Sequence, residues 1–115
     1  MSESSMREPT FLVLTALAEE PRHGYAVIED VAAMTSGRVR LRAGTLYAAL
    51  DRLRGEGLIE VDREEVVQSR LRRYYRLTGA GEQSLATETA RLRAQAAIAE
   101  QRLRARRPEP GGSPA

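Results

Sequence analysis

The stretch "LRAGTLYAALDRLRGEGLIE", residues 41–60, decides how this chain is read. Leu46, Ala49, Leu50 and Leu53 recur at the i, i+3, i+4, i+7 spacing of one packed face of an α-helix. Gly57 follows as a stop signal, so the pattern predicts a helix from about Ala43 to Glu56. The opposite side holds Gly44, Ala48, Asp51 and Arg52, flanked by Thr45 and Tyr47. That side is either ordinary solvated surface or a surface that reads a partner. Its small central residues let the backbone come close to whatever it meets.

Upstream, Pro9 suits the first turn of a helix. Phe11, Leu14, Leu17 and Ala18 make an apolar stripe ending near Glu20, which Pro21 pushes out of helical geometry. A second helix is predicted from about Gly24 to Met34, with Val27, Ile28, Val31 and Ala32 inward. In "TSGRVRLRAG" Gly37 stops that helix. Val39 and Leu41 then alternate with Arg38, Arg40 and Arg42, the period of a short strand.

Downstream, Leu58–Glu64 and Leu71–Leu77 read as two strands of a β-hairpin joined by a longer polar loop. Alternation places Leu71, Arg73, Tyr75 and Leu77 on one face, with Tyr75 and Leu77 in the core, and Arg72, Tyr74 and Arg76 on the other. Thr78 is a candidate N-cap for a last helix reaching about Arg106. At about 28 residues, or roughly 42 Å, that helix outreaches so small a domain. Leu85, Leu92, Ala96, Ala99 and Leu103 lie near a heptad seam and predict dimerisation. The domain expectation is a flexible arm over 1–8, a core domain over 9–78, a dimerisation helix over 79–106 and a disordered tail over 107–115.

Composition narrows the function. The 115 residues contain no cysteine, one histidine and no run of 18 apolar residues. Disulfides, thiolate metal sites and a spanning helix are therefore excluded. The N-terminus lacks a signal-peptide pattern, and a cytoplasmic protein is expected. His23 has no second imidazole for metal binding or catalysis. No phosphate-cradling glycine loop or nucleophile elbow is present. Neither an enzyme nor a cofactor or metal is expected.

The net charge of +2 hides an asymmetry: residues 1–35 hold two Arg against six acids, whereas residues 36–78 hold ten Arg against six. Every cation is arginine, whose planar fork matches phosphate and guanine edges. Helix, helix, helix, hairpin and long helix is the layout of a winged helix-turn-helix with an added dimerisation helix, mainly α with a small β-hairpin. The third helix then enters the major groove and the hairpin, or wing, follows the backbone. The basic segment coincides with these two elements.

The motifs "HGY" (23–25), "GTLYAAL" (44–50), "RLRGEGLIE" (52–60) and "RRYYRLTGAG" (72–81) resemble the PadR-like transcriptional regulators, in order and spacing, over about residues 9–85. The short C-terminal part is similar to that of members with a single dimerisation helix. The resemblance implies a homodimeric regulator of double-stranded DNA, most often a repressor released by a small molecule. It departs where the family commonly has "SPGTLYPAL", here "RAGTLYAAL", and in a wing tip, "EEVVQSRLRR", without glycines.

On this reading the DNA contacts are Tyr25, Thr45, Tyr47, Arg52, Arg70, Arg72 and Arg73. Hydroxyls and guanidiniums suit phosphate oxygens, and Arg52 suits guanine or phosphate. Alternatively, Tyr47 packs on the wing, Tyr25 packs between helices, and the hairpin arginines deter edge aggregation. The resemblance places an effector near the first and last helices, with Phe11, Leu14, Leu85, Glu88, Leu92 and Ala96 as candidates; these residues equally fit a plain dimer seam. The rival function is a winged-helix module that binds protein through its last helix without reading DNA.

Overall fold

The structure, a computed structural model, describes residues 6–106. It contains α1 (Glu8–Glu19), β1 (Arg22–His23), α2 (Gly24–Met34), α3 (Ala43–Gly55), β2 (Ile59–Val67), β3 (Arg70–Leu77) and α4 (Gly79–Arg106). The strands form one antiparallel sheet in the order β1-β3-β2. This is the expected winged helix-turn-helix with a long last helix.

The core is built from Leu12, Val13, Leu14 and Leu17 of α1, Val27 and Val31 of α2, and Leu46, Leu50 and Leu53 of α3, closed by Ile59 and Tyr75 of the sheet. The expected stripe on α1 is wider than read. Leu12, Val13 and Ala16 are buried, while Ala18 is exposed. α1 packs against α2, α4 and β3, and a helix covered from several sides shows no single stripe. Its C-terminus gains a partner when Arg22 Nε donates to the Ala16 carbonyl at 2.8 Å. At the end of α3, Gly57 has φ +78°, the left-handed conformation that glycine adopts without steric cost, and Leu58 N–H donates back to the Leu53 carbonyl at 3.0 Å.

Three expectations change. Val39 and Leu41 do lie half-buried between exposed arginines, but they form no strand. The Val39 N–H donates to Thr35 Oγ1 at 3.0 Å, so it is withdrawn from any ladder. The third strand is instead Arg22–His23, which pairs with Tyr74 and Tyr75. The hairpin loop is not long either. β2 and β3 continue to a two-residue tip, Gln68–Ser69, with φ 51° and 65°. Paired positive φ values match the twist of the flanking strands. No glycine marked the tip, so the sequence pattern did not reveal a tight turn. Finally, the expected arm over 1–8 lies outside the described residues only up to residue 5. Met6 packs against the core and Glu8 already begins α1. The expected tail over 107–115 also lies outside the described residues.

α4 is capped as expected. Thr78 Oγ1 accepts from the Gly81 N–H at 3.0 Å and donates to the Gly57 carbonyl at 2.7 Å, tying the helix start to the end of α3. Its first turns pack on α1 and β3. From Leu92 to Arg106 every residue is exposed. The radius of gyration is 18.9 Å, against roughly 13 Å for a compact chain of about 100 residues. The distal half of α4 therefore projects without cover from its own domain. No helix among the described residues is long and apolar enough to cross a membrane.

Candidate nucleic-acid interface

The N-terminus of α2, the outer side of α3 and the wing enclose an open cleft of about 750 Å³. Tyr25 enters from α2, Tyr47 and Asp51 from α3, and Arg70, Leu71, Arg72 and Arg73 from β3. Five expected contact residues, Tyr25, Tyr47, Arg70, Arg72 and Arg73, thus line one cavity although they come from three elements. Tyr25 is 63% exposed and Tyr47 47%, so neither residue belongs to the core.

Tyr47 owes its position to a missing side chain. A Cβ on Gly24 would stand 2.4 Å from the Tyr47 hydroxyl oxygen. Glycine at that point lets the tyrosine lie across the start of α2. The start of α2 is in turn fixed by His23, whose Nδ1 accepts from the Ala26 N–H at 3.3 Å. The ring also meets Tyr74 edge-on at 5.3 Å, joining the helix to the wing. Sequence inspection missed this role, because histidine is not among the commonest N-caps.

Burial, with the Arg72 charge next in importance, lowers the His23 pKa from its ordinary value of 6.5. The folded protein therefore holds the neutral ring, which the cap requires. As pH falls through the ordinary imidazole range towards the lowered folded value, the unfolded chain takes up the proton first, and this part of the stability is lost. His23→Asn keeps a capping oxygen without the titration. Its melting temperature is expected to drop less than that of the parent between about pH 7.5 and 5.5, measured by circular dichroism. Equal drops would remove His23 as the titrating cap.

The wing arginines differ in their freedom. Arg73 Nε meets Glu64 at 2.9 Å, and Arg76 meets Glu60 and Asp62 at 2.8 and 3.2 Å. Arg63 pairs with Asp62 and Glu65 and lies 3.9 Å over the Tyr74 ring. Among the described residues, Arg70 and Arg72 have no ion-pair partner. Their charge is available to a ligand in the cleft.

Two parts of the expected site are placed elsewhere. Thr45 is exposed on the first turn of α3 but does not line the cleft. Arg52 is turned to the opposite flank of α3, where its Nη2 donates to Thr10 Oγ1 at 3.0 Å. Positions 47 and 52 are separated by five steps of about 100°, so one helix cannot aim both at the same cavity. The helical wheel showed Arg52 as outward but not that α1 stands beside it.

The expected effector residues do not form one pocket. Leu14 is fully buried in the domain core. Phe11 and Leu85 are half-buried against that core, and Leu92 and Ala96 are exposed farther along α4. Glu88 is buried and ion-paired to Arg91. It lines a separate cleft of about 910 Å³ between α1, α3 and α4, with Thr10, Arg52, Glu56 and Ser84. Of the residues expected at a dimer seam, Leu85 is half-buried against its own domain, whereas Leu92, Ala96, Ala99 and Leu103 are exposed.

Comparison with known proteins identifies relatives of the same fold. An uncharacterised protein of Lysinibacillus sphaericus is 30% identical over 70 residues, which cover 61% of this chain. The chain spans 64% of that relative's length. A PadR family regulator from Eggerthella lenta superposes with a TM-score of 0.67 at 28% identity, over 83% of this chain and 80% of the other. One from Clostridium difficile gives 0.68 at 24% identity, over 82% and 96%. Bacillus subtilis PadR in complex with operator DNA gives 0.63 at 22% identity, over 70% and 47%. The last two establish the shared fold. The pattern of the transcriptional regulator PadR-like family itself matches residues 13–87, which take in all three elements of the cleft and the start of α4. The chain therefore belongs to the PadR-like family of transcriptional regulators.

Proposed function

We propose that the protein is a homodimeric, DNA-binding repressor that occupies an inverted-repeat operator in the cytoplasm and is released by a small molecule. The observation that carries the DNA reading is the cleft, where two exposed tyrosines line the same cavity as two arginines that have no ion-pair partner among the described residues. α3 supplies the groove element. Its outward residues Gly44 and Ala48 are small, and no side chain caps its first turn, so those N–H groups are open to phosphate. Tyr25, Tyr47, Arg70 and Arg72 then bind the DNA backbone, with Thr45 beside them. Arg52 serves mainly to hold α3 against α1. The fold shared with the relative from Bacillus subtilis, which was crystallised with operator DNA, supports DNA as the partner.

The exposed side of α4 that carries Leu92, Ala96, Ala99 and Leu103 joins the two copies. Two recognition helices then address half-sites about one helical turn, roughly 10 bp, apart. The effector belongs in the polar cleft beside α4, where Glu88, Arg52 and Thr10 converge. Binding there links α1 and α3 to the dimer helix, and so couples occupancy to the spacing of the two reading heads.

Gel-shift titration against promoter DNA from the gene's own neighbourhood tests the reading. Retention is expected to weaken steeply with salt, because each Arg–phosphate contact releases a counterion. Arg72→Ala is expected to weaken binding to all sequences and to reduce the salt slope by about one. Absence of retention on every candidate at low salt would refute the DNA reading. A co-purifying protein partner under those conditions would favour the protein-binding alternative.

A further inference from the structure

The wing contains five arginines and four acidic residues between Ile59 and Leu77. The register of the hairpin sets them in opposition, with Glu64 facing Arg73 and Glu65 facing Arg72 across the ladder. Arg63 and Arg76 each hold two carboxylates, and neither lines the cleft. Arg73 does line it, and Glu64 is its one ion-pair partner among the described residues. The side chains of both are close to half exposed, at 42% and 43%. Such a pair is weak and open to exchange, whereas a guanidinium meets phosphate with the same fork geometry as carboxylate.

We propose that Glu64 is an internal phosphate mimic, which occupies Arg73 in the free protein and must yield it to a backbone phosphate on binding. The inference rests on the DNA reading above and assigns Glu64 the task of limiting affinity. Exchange has a definite ionic balance. Arg73 neutralises one phosphate and releases about 0.9 of a condensed counterion, while the freed Glu64 carboxylate, left beside the polyanion, recovers about one cation. The two cancel. Arg73 then adds almost nothing to the salt dependence, although it touches the DNA.

Replacing Glu64 removes the second half of that exchange. Glu64→Gln keeps the shape of the side chain and lets Arg73 turn to the DNA at no ionic cost. Affinity for a promoter fragment at about 0.1 M salt is expected to rise roughly 3- to 10-fold, and the slope of log K against log salt to steepen by about 0.9. In the double variant Glu64→Gln, Arg73→Ala both gains should vanish. Glu60→Gln is the control, because Arg76 keeps Asp62 and both lie away from the cleft; it is expected to leave affinity and slope close to the parent. Melting temperatures establish that all variants are folded.

If the parent binds DNA with a steep salt dependence, yet Glu64→Gln leaves both affinity and slope unchanged, the mimic is refuted and the DNA reading stands. A gain that persists in the double variant also refutes it, since the effect would then be general charge repulsion. If neither the parent nor Glu64→Gln binds any fragment at low salt, the DNA reading itself fails and the mimic falls with it.

Discussion

Replacing Leu92 and Leu103 together by Glu is expected to leave the protein monomeric and to lower its affinity for an inverted-repeat operator by at least about 100-fold. Leu92 is 38% exposed and Leu103 65%, on a helix segment that nothing in its own domain covers. Neither side chain belongs to the core, so the winged-helix domain should fold in the variant. In a dimer, the second half-site binds at the high effective concentration set by the first. Without the dimer each half-site is held by one reading head alone. Sedimentation velocity should show one chain per particle, and gel shifts should show unchanged binding to an isolated half-site. A variant that remains dimeric would remove α4 from the interface. Circular dichroism should retain the helical signal, with a lower melting temperature because dimer formation no longer stabilises the fold by mass action.

The second large effect is expected from Gly81→Ala. A Cβ at this position would stand 2.0 Å from the backbone oxygen of Leu58 and 3.2 Å from Cδ2 of Leu77. The first of these is a main-chain atom that cannot swing aside, unlike the tyrosine ring at Gly24. Relief requires α4 to lift away from the α3–β2 junction. That movement breaks the Thr78 cap, which holds Gly57 and Gly81 together. A loss of about 3 kcal/mol is expected, lowering the melting temperature by roughly 15 °C. Gly55→Ala makes the contrast, since nothing lies within 4 Å of its added methyl and its backbone is helical. It should stabilise the protein by up to about 1 kcal/mol through helix propensity. If Gly81→Ala melts with the parent, the close contact is not a constraint on α4.

The two variants test different uses of one helix. Its first turns pack on the domain, and its last turns are exposed and proposed to join two copies. The division falls near Arg91, where the pairing with buried Glu88 ends and full exposure begins. A ligand beside Glu88 would therefore act at the boundary between the two uses.

Elements governed by local chemistry were legible in the chain itself. The limits of α2, the end of α3 at Gly57, the Thr78 cap and the inward side of α3 all depend on residues within a turn or two of one another. Periodicity and capping report such relations directly. The alternation around Val39 was equally local, and the side chains do follow it. Whether a strand forms there depends on a partner ladder, which the Thr35 hydroxyl and the chain path deny.

The site was legible by residue type and less so by direction. Arginine and tyrosine at positions 25, 47, 70, 72 and 73 were readable as phosphate-binding chemistry, and the fold brings them to one cleft. Arg52 looked equally suitable until α1 was set beside it, and Leu14 looked available to a ligand until the domain core closed over it. The tight wing tip carried no glycine to announce it. The pairing of Glu64 with Arg73 arises only from a register set by that tip. Sequence by itself thus determined which faces are apolar, where helices begin and end, and which chemistry each segment carries. Tertiary structure alone decided which of those groups meet, because contacts between distant residues depend on chain path and register, and neither leaves a periodic trace in the sequence.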